Sequence, residues 1–480
     1  MSELITASQY NTAKQSNRKT LVKIDLLNFE YFIVDSLEGY GLDGSISINA
    51  NSDMRRTCDI SFIVKDSTFD IKSGGEIWLD KLIKIYLGIE DIKTNEISWT
   101  DMGIFLINQP TYTYDAKTKT MSIQGVDLMA RLTGLRNGII KEISESGYAL
   151  IPVGTNVRDA IIGVLTENNF TNYFVSECLN VDGEIQNVPY DMKFEQGSTW
   201  YDVLTELKNI LPNYQMYFDV NGSFRYEPIP YESDDPIMID EDIWDNNVIS
   251  ETVDVDFQSV KNVVEVWGRV HETEYYSDST STTIVDSTQI NPVWENLVSL
   301  EDYVITALTL PQNLSGQELF INFLEVLPIK DSSNNNITSL NADTYYVFSY
   351  MPDGYWLFLG GEQAFAVYKD ENPDSPFYVG SSIGEIREVL YGNEYENIVS
   401  DDLALQRAKY EIYKRCRLND NINLTTVPIY WADVNWKVSY TPLGGNDSYE
   451  YMIQSIQIPL SVKNTQTFNL SRFYPLYPII

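Results

Sequence analysis

The sequence predicts a β-rich α+β protein of several domains, one of them an inserted all-β domain. Short apolar and aromatic runs recur at regular spacing between Gly, Asp and Asn turns, the mark of a barrel or sandwich. Amphipathic helical stretches occur singly between those runs and never alternate with them strictly. Composition then shifts to Ser, Thr, Asn, Asp and Tyr over 271–399, with YYVFSY, YWLFLGG and AFAVYK as short strands.

From 21 to about 138 strand follows strand: 21–32, 44–48, 57–64 and 77–89, the last interrupted by Asp80, Lys81 and Lys84. Residues 103–108 lead through Pro110 into 112–114, and a turn at 115–119 returns the chain into 120–125. A short helix over 126–133 closes this part, with Leu128, Met129 and Leu132 inward. Thr155 is placed to cap a helix over 157–166 that buries Val157, Ile161, Val164 and Leu165. Residues 170–175 are strand-like, and Asp182-Gly183 marks a turn.

The segment 194–230 is the most legible. Thr199 with Asp202 forms a T-x-x-D capping box. Trp200, Val203, Leu204, Leu207 and Leu211 follow at helical spacing, and Pro212 ends the helix. Asn221-Gly222 between aromatic-rich runs predicts a hairpin with a type I′ turn. Residues 232–256 hold ten carboxylates and no Lys or Arg, in no calcium-loop spacing, which predicts a solvated loop. Strand 260–270 precedes the insertion, whose loop 331–339 (DSSNNNITS) is expected to be its most mobile. A helix over 401–416 places Leu403, Leu405, Ala408, Ile412 and Tyr413 on its apolar positions, with Lys409, Lys414, Arg415 and Arg417 towards its C-terminal end. Strands at 421–430, 436–440, 451–460 and 465–470 follow, and the apolar end 475–480 is expected to be docked.

The 480 residues include 33 Tyr, 19 Phe and 9 Trp, a richness that suits strands and wet interfaces. No apolar run approaches 18 residues, so no membrane insertion is expected, and the polar first 20 residues lack a secretory signal and predict a flexible arm. Cys58, Cys178 and Cys416 stand far apart without a CxxC pair and imply no disulfide framework. A net charge of −36 argues against stable nucleic-acid binding and predicts a soluble surface, or a wall that repels a passing polyanion.

No catalytic, cofactor-binding or metal-ligating residue stands out. His271 is the one histidine and lies before Ser382, the wrong order for the G-x-S-x-G pattern at 380–384, which is better explained as a turn. No phosphate-binding or dinucleotide motif occurs, and the 69 acidic residues offer chance pairs that no local motif singles out.

Taken in order, several stretches resemble the tail-hub proteins of bacteriophages and phage-tail-like particles. They are GSISI at 44–48 with Met54-Arg55-Arg56-Thr57; IWLD at 77–80; IYLG at 85–88; Trp99; GIF at 103–105; and SIQGVD at 122–127 with Ala130-Arg131-Leu132. The helix-plus-hairpin is similar too, with Gly197, Trp200 and Leu204 in G-x-x-W-x-x-x-L and YFD-x-NG at 217–222. So are 401–417 with LTTVP at 424–428, and the last hairpin over 451–469. The likeness covers about 21–270 and 400–480.

It implies a baseplate or tail hub protein of the virion, made in the host cytoplasm. Three copies would form a ring at the distal end of the tail tube, each supplying two tube-like β-barrel domains with a packing helix. The ring would adapt a six-fold tube to a three-fold spike and line the channel for DNA passage. Implied partners are the tail tube or distal tail protein, a spike or tail-tip lysin, other baseplate proteins and the tape measure protein. The expected division is an arm (1–20), a first barrel (21–150), an α+β domain (151–250), a second barrel (251–270 with 400–480) and the insertion (271–399). Two further readings come from other classes. One is a receptor- or carbohydrate-binding tail protein, with Tyr345, Tyr346, Tyr355 and Trp356 of the insertion as stacking rings. The other is a cell-wall hydrolase using two carboxylates.

Overall fold

A computed structural model describes residues 10–12, 14, 19–36, 43–64, 71–91, 93–114, 118–140, 148–179, 183, 185–189, 192–211, 213–230, 232–461 and 465–474. Pro212, Asp182, most of the 115–119 turn and the apolar end 475–480 lie outside them. The chain forms two compact units: one runs to Asp256 and resumes at Asn419, and the other is Phe257–Leu418.

The first unit is built on a twelve-stranded antiparallel sheet. Its order is Val248–Asp256, Asn419–Thr426, Gln466–Arg472, Tyr449–Pro459, Asp43–Asn49, Arg56–Ile63, Lys119–Val126, Ile97–Tyr114, Lys81–Glu90, Lys19–Asn28 and Ile33–Ser36, with Lys437–Tyr440 beside Tyr449–Pro459. Two strand sets far apart in sequence thus share one sheet, joined where Ser455 to Pro459 pair with Asn49 to Ser45. Alternation drives it: Cys58, Ile60 and Phe62 point inward from one strand. They enter a core that also holds Ile24, Ile85, Phe105, Ile422, Tyr451 and Phe468. Pro110 does not end its strand. A register shift between Ile107 and Gln109 absorbs it, and pairing on the Lys81–Glu90 side stops at Leu106, so Pro110 sits where no ladder donor is needed. The expected strand over 77–89 begins only at Lys81, although Ile77 is buried.

A second core lies among helix α1 (Val157–Glu167), helix α2 (Trp200–Ile210), the 3-10 turn Leu128–Arg131 and the hairpin Tyr214–Phe218 and Phe224–Pro228. Helix α2 forms as its sequence predicts. Thr199 Oγ1 accepts from Asp202 N at 3.1 Å, Asp202 Oδ2 accepts from Thr199 N at 2.7 Å, and Val203, Leu204 and Leu207 are buried. Two local expectations change. Asn156, not Thr155, caps α1: its Oδ1 accepts from Asp159 N, while Thr155 Oγ1 donates to Pro152 O. The hairpin loop is also longer than a type I′ turn. Within Asp219 to Ser223 only Gly222 has positive φ (74°), and Asp219 N donates to Ser223 O, a three-residue loop closed by a left-handed glycine.

The acidic segment is largely ordered structure instead of a solvated loop. It contains helix α3 (Glu241–Asn247), which buries Ile243 and Trp244, and the edge strand Val248–Asp256. The reason is a lysine about two hundred positions later in the chain: fully buried Lys437 donates to Ser233 O (2.8 Å) and Asp235 O (3.1 Å) and pairs with Glu450 at 3.0 Å. The arm is not wholly free either. Tyr10 Oη donates to Asp240 at 2.9 Å and Lys14 pairs with Asp242 at 2.7 Å.

The second unit holds an eight-stranded sheet over its largest core and a three-stranded sheet, Gln363–Lys369, Val263–Val270 and Arg387–Leu390, packed by helix α4 (Asp401–Arg415). Since Val263–Val270 and α4 belong to that packing, the compact units divide at 256/257 and 418/419 instead of at 270/271 and 399/400. Ser400 caps α4, whose buried positions are Ala404, Ala408, Glu411 and Ile412. Leu403, Leu405 and Tyr413 are only half-buried, because Glu411 is held inside by Arg407 (2.9 Å) and Arg415 (3.0 Å) one turn away on either side. The loop at 331–339 is tied down: Asn335 N donates to Asp331 at 2.7 Å and Ser332 to Asp402.

The capping box gives a direct test. Thr199→Ala is expected to lower stability by about 1 kcal/mol in urea unfolding, while Thr199→Ser leaves it near the parent value.

Candidate functional site

His271 is buried, and both ring nitrogens face carbonyl oxygens, Gly361 O and Val399 O, each at 2.7 Å. Ser382 sits in consecutive turns. Among the described residues no three His, Cys, Asp or Glu side chains come together as a metal site. Cys58 and Cys178 are buried, Cys416 is half-buried, and all three are free thiols. Burial pushes the Cys178 thiol up to about 12, and likewise Cys416, which also lies beside Asp370, away from nucleophilic use at neutral pH. Of the insertion's candidate rings, Trp356 and Tyr346 are in the core, where Trp356 packs on Trp294; Tyr345 and Tyr355 are half-buried, and Tyr345 stacks on exposed Tyr276.

Two features of the first unit remain. One is a polar joint. Arg56 lies on strand Arg56–Ile63, and its side chain is buried beneath the hairpin and the 429–436 segment. Its Nη1 donates to Phe218 O at 2.8 Å and its Nη2 to Asp433. Its own N–H donates to Asp127 Oδ2 at 3.1 Å, and Asp127 Oδ1 takes Met129 N at 2.9 Å, capping the 3-10 turn. Neighbouring Arg55 donates to Gln215 (2.6 Å), which also accepts from Asn435 (2.7 Å), and its guanidinium lies 3.7 Å from the Tyr217 ring centre. Burial pushes the Asp127 carboxyl up to about 6, against the pull of two backbone N–H groups and both guanidiniums.

The other is the pair of sheet edges. Among the described residues neither Val248–Asp256 nor Ile33–Ser36 has a strand on its outer side. Val253 stands opposite Ile422 and Val255 opposite Asp420, so both continue the row that carries core residue Ile422, yet they are 48% and 44% exposed. At the other edge Phe32, Ile33 and Val34 are 65%, 59% and 45% exposed, with Phe29 and Tyr31 beside them. Apolar residues on unpaired strands are the pattern of an interface. The sequence showed both strands' residues but not that they end a sheet.

Arg56→Met should cost about 3 kcal/mol in denaturant, since Asp433 and Phe218 O then lose their donor. The raised Asp127 carboxyl implies a pH effect. Its folded value lies above the ordinary 3.8, so stability is greatest below that and falls as pH rises from about 4 to about 6. Melting curves of Asp127→Asn should lack that component of the decline.

A sequence-family model described as a domain of unknown function, DUF5048, matches residues 374–477. No curated protein matches the chain. Among solved structures it is similar to the 43 kDa tail protein of prophage MuSo2 from Shewanella oneidensis, at 13% identity and a TM-score of 0.51, covering 94% of this chain and 98% of that one. It is also similar to the tail protein from Neisseria meningitidis MC58, at 9% identity and a TM-score of 0.50, covering 95% and 98%. The chain has the β-rich, multidomain fold of these phage tail proteins.

Proposed function

We propose that the chain is a structural tail-hub protein, not an enzyme, which acts in the virion at the distal end of the tail tube. Three copies close a ring that adapts the six-fold tube to a three-fold spike or tail-tip lysin and lines the channel for DNA. The distal tail protein, the tape measure protein and other baseplate proteins are its remaining neighbours.

The observation that carries this reading is the open twelve-stranded sheet with an apolar strand at each end, in a fold shared with tail proteins. The two edges differ, so a contact of one edge with the other between copies is head-to-tail and must either close into a ring or run on as a filament. The acidity supports a channel. Three copies carry 3 × −36, or −108 formal charges, and carboxylates facing a lumen would repel DNA. The reading of a receptor- or carbohydrate-binding protein acting through 271–399 is left with Tyr345 and Tyr355 of its four rings.

Light scattering on a sizing column should give three times 55.0 kDa, about 165 kDa, and negative-stain images a central hole. Val253→Asp should shift the protein towards monomer with little change in melting temperature, because the side chain is half exposed in the single chain. A monomer at every concentration, alone and with tail partners, counts against the ring.

A further inference from the structure

Between α1, α2 and the strand pair Tyr148–Ile151 and Met192–Glu195 lies an apolar groove of about 190 Å³ that the ring contact does not use. Phe194, Val164 and Val203 are buried in its wall, while Trp200 is half-buried and Leu150 exposed. The volume is slightly above the roughly 150 Å³ that accommodates a benzene ring, so the groove fits one large apolar side chain.

Its wall includes Gly163, in the middle of α1. A glycine inside an exposed helix is unfavourable relative to alanine. Its own chain offers no reason for it: a Cβ built there meets no atom within 4 Å. The missing side chain keeps the groove open and lets another backbone come close. Glu167, one helical turn on, is the one ionisable residue among the lining side chains.

We propose that this groove receives an apolar side chain presented by a basic segment of a partner protein. Charge selects that occupant. A nucleic acid would set phosphates against Glu167 on a chain of net charge −36. A second copy is disfavoured too, since it would bring a like net charge of −36 to a groove whose one ionisable lining residue is Glu167. A lysine or arginine next to the anchor would instead meet Glu167. Exposed Ile139 extends the apolar surface, bridging to Thr199 beside Trp200.

The probe is a fluorescein-labelled amphipathic peptide with leucines at i and i+4 among lysines, titrated into the full chain at physiological salt and followed by anisotropy. Saturable binding is expected, weakened about tenfold or more by Gly163→Leu, which fills the groove without changing charge. Glu167→Gln should weaken it several-fold, and Asp159→Asn, the same charge change elsewhere on α1, should leave it intact. Circular dichroism confirms that each variant is folded; a folded Gly163→Ile serves if the leucine variant is not. Equal binding by the groove-filled variant would reduce the contact to diffuse charge attraction and overturn the proposal. Equal binding of a peptide with glutamates for lysines would overturn the basic partner, and protection of Trp200 from quenching on self-assembly alone would assign the groove to a second copy.

Discussion

A buried guanidinium must find acceptors where water cannot reach, and Arg56 finds them in parts of the chain that would otherwise have no reason to meet. Its side chain joins the hairpin at Phe218 and the late segment at Asp433, while its backbone holds Asp127. The two cores of the first unit lie on either side of this joint. Apolar packing alone would tolerate slippage between them, since non-directional contacts can be exchanged. Directional bonds from one fixed fork cannot, so the joint sets register as much as it adds stability. Arg56 Nε remains buried without an acceptor among the described residues, which shows how little slack the site has.

The same economy explains the edges. A sheet of twelve strands that ends in Val253 and Val255 on one side and Phe32 to Val34 on the other leaves its outermost hydrophobic rows unfinished. Monomeric β proteins blunt such strands with inward charges, proline or a covering helix. Here Glu251 does turn inward, but it is satisfied by Tyr440 Oη at 2.6 Å and so does little to protect the edge. An association that covers these rows finishes the core instead of adding to the surface.

What the sequence made legible was local. Thr199 with Asp202, the alternation of Cys58, Ile60 and Phe62, and the inward Leu128 and Met129 all follow from short-range rules, and the structure follows them. What it hid was decided by distant partners. The acidic run looked like a solvated loop because its organising cation, Lys437, comes some two hundred positions later. Leu403, Leu405 and Tyr413 were expected on the apolar positions of α4, but Glu411, enclosed by two arginines, is buried there instead. The joint at Arg55 and Arg56 was visible only as two adjacent basic residues, since Gln215, Asp433 and Asn435 carry no motif. The groove had no pattern at all beyond a glycine inside a predicted helix.

Charge and assembly pull in opposite directions in this chain, and distance decides between them. Copies of net charge −36 repel, yet at about 0.1 M salt the Debye length is near 10 Å, so exposed carboxylates spread over a unit are largely screened from those of a neighbour. Apolar contact acts at the edge itself and is not screened. Lowering salt should therefore oppose association without loosening either core, whereas filling an edge with charge opposes it at any salt. In the proposed ring the acidity would act on what passes or docks nearby, while the apolar residues at the two edges would hold copies together.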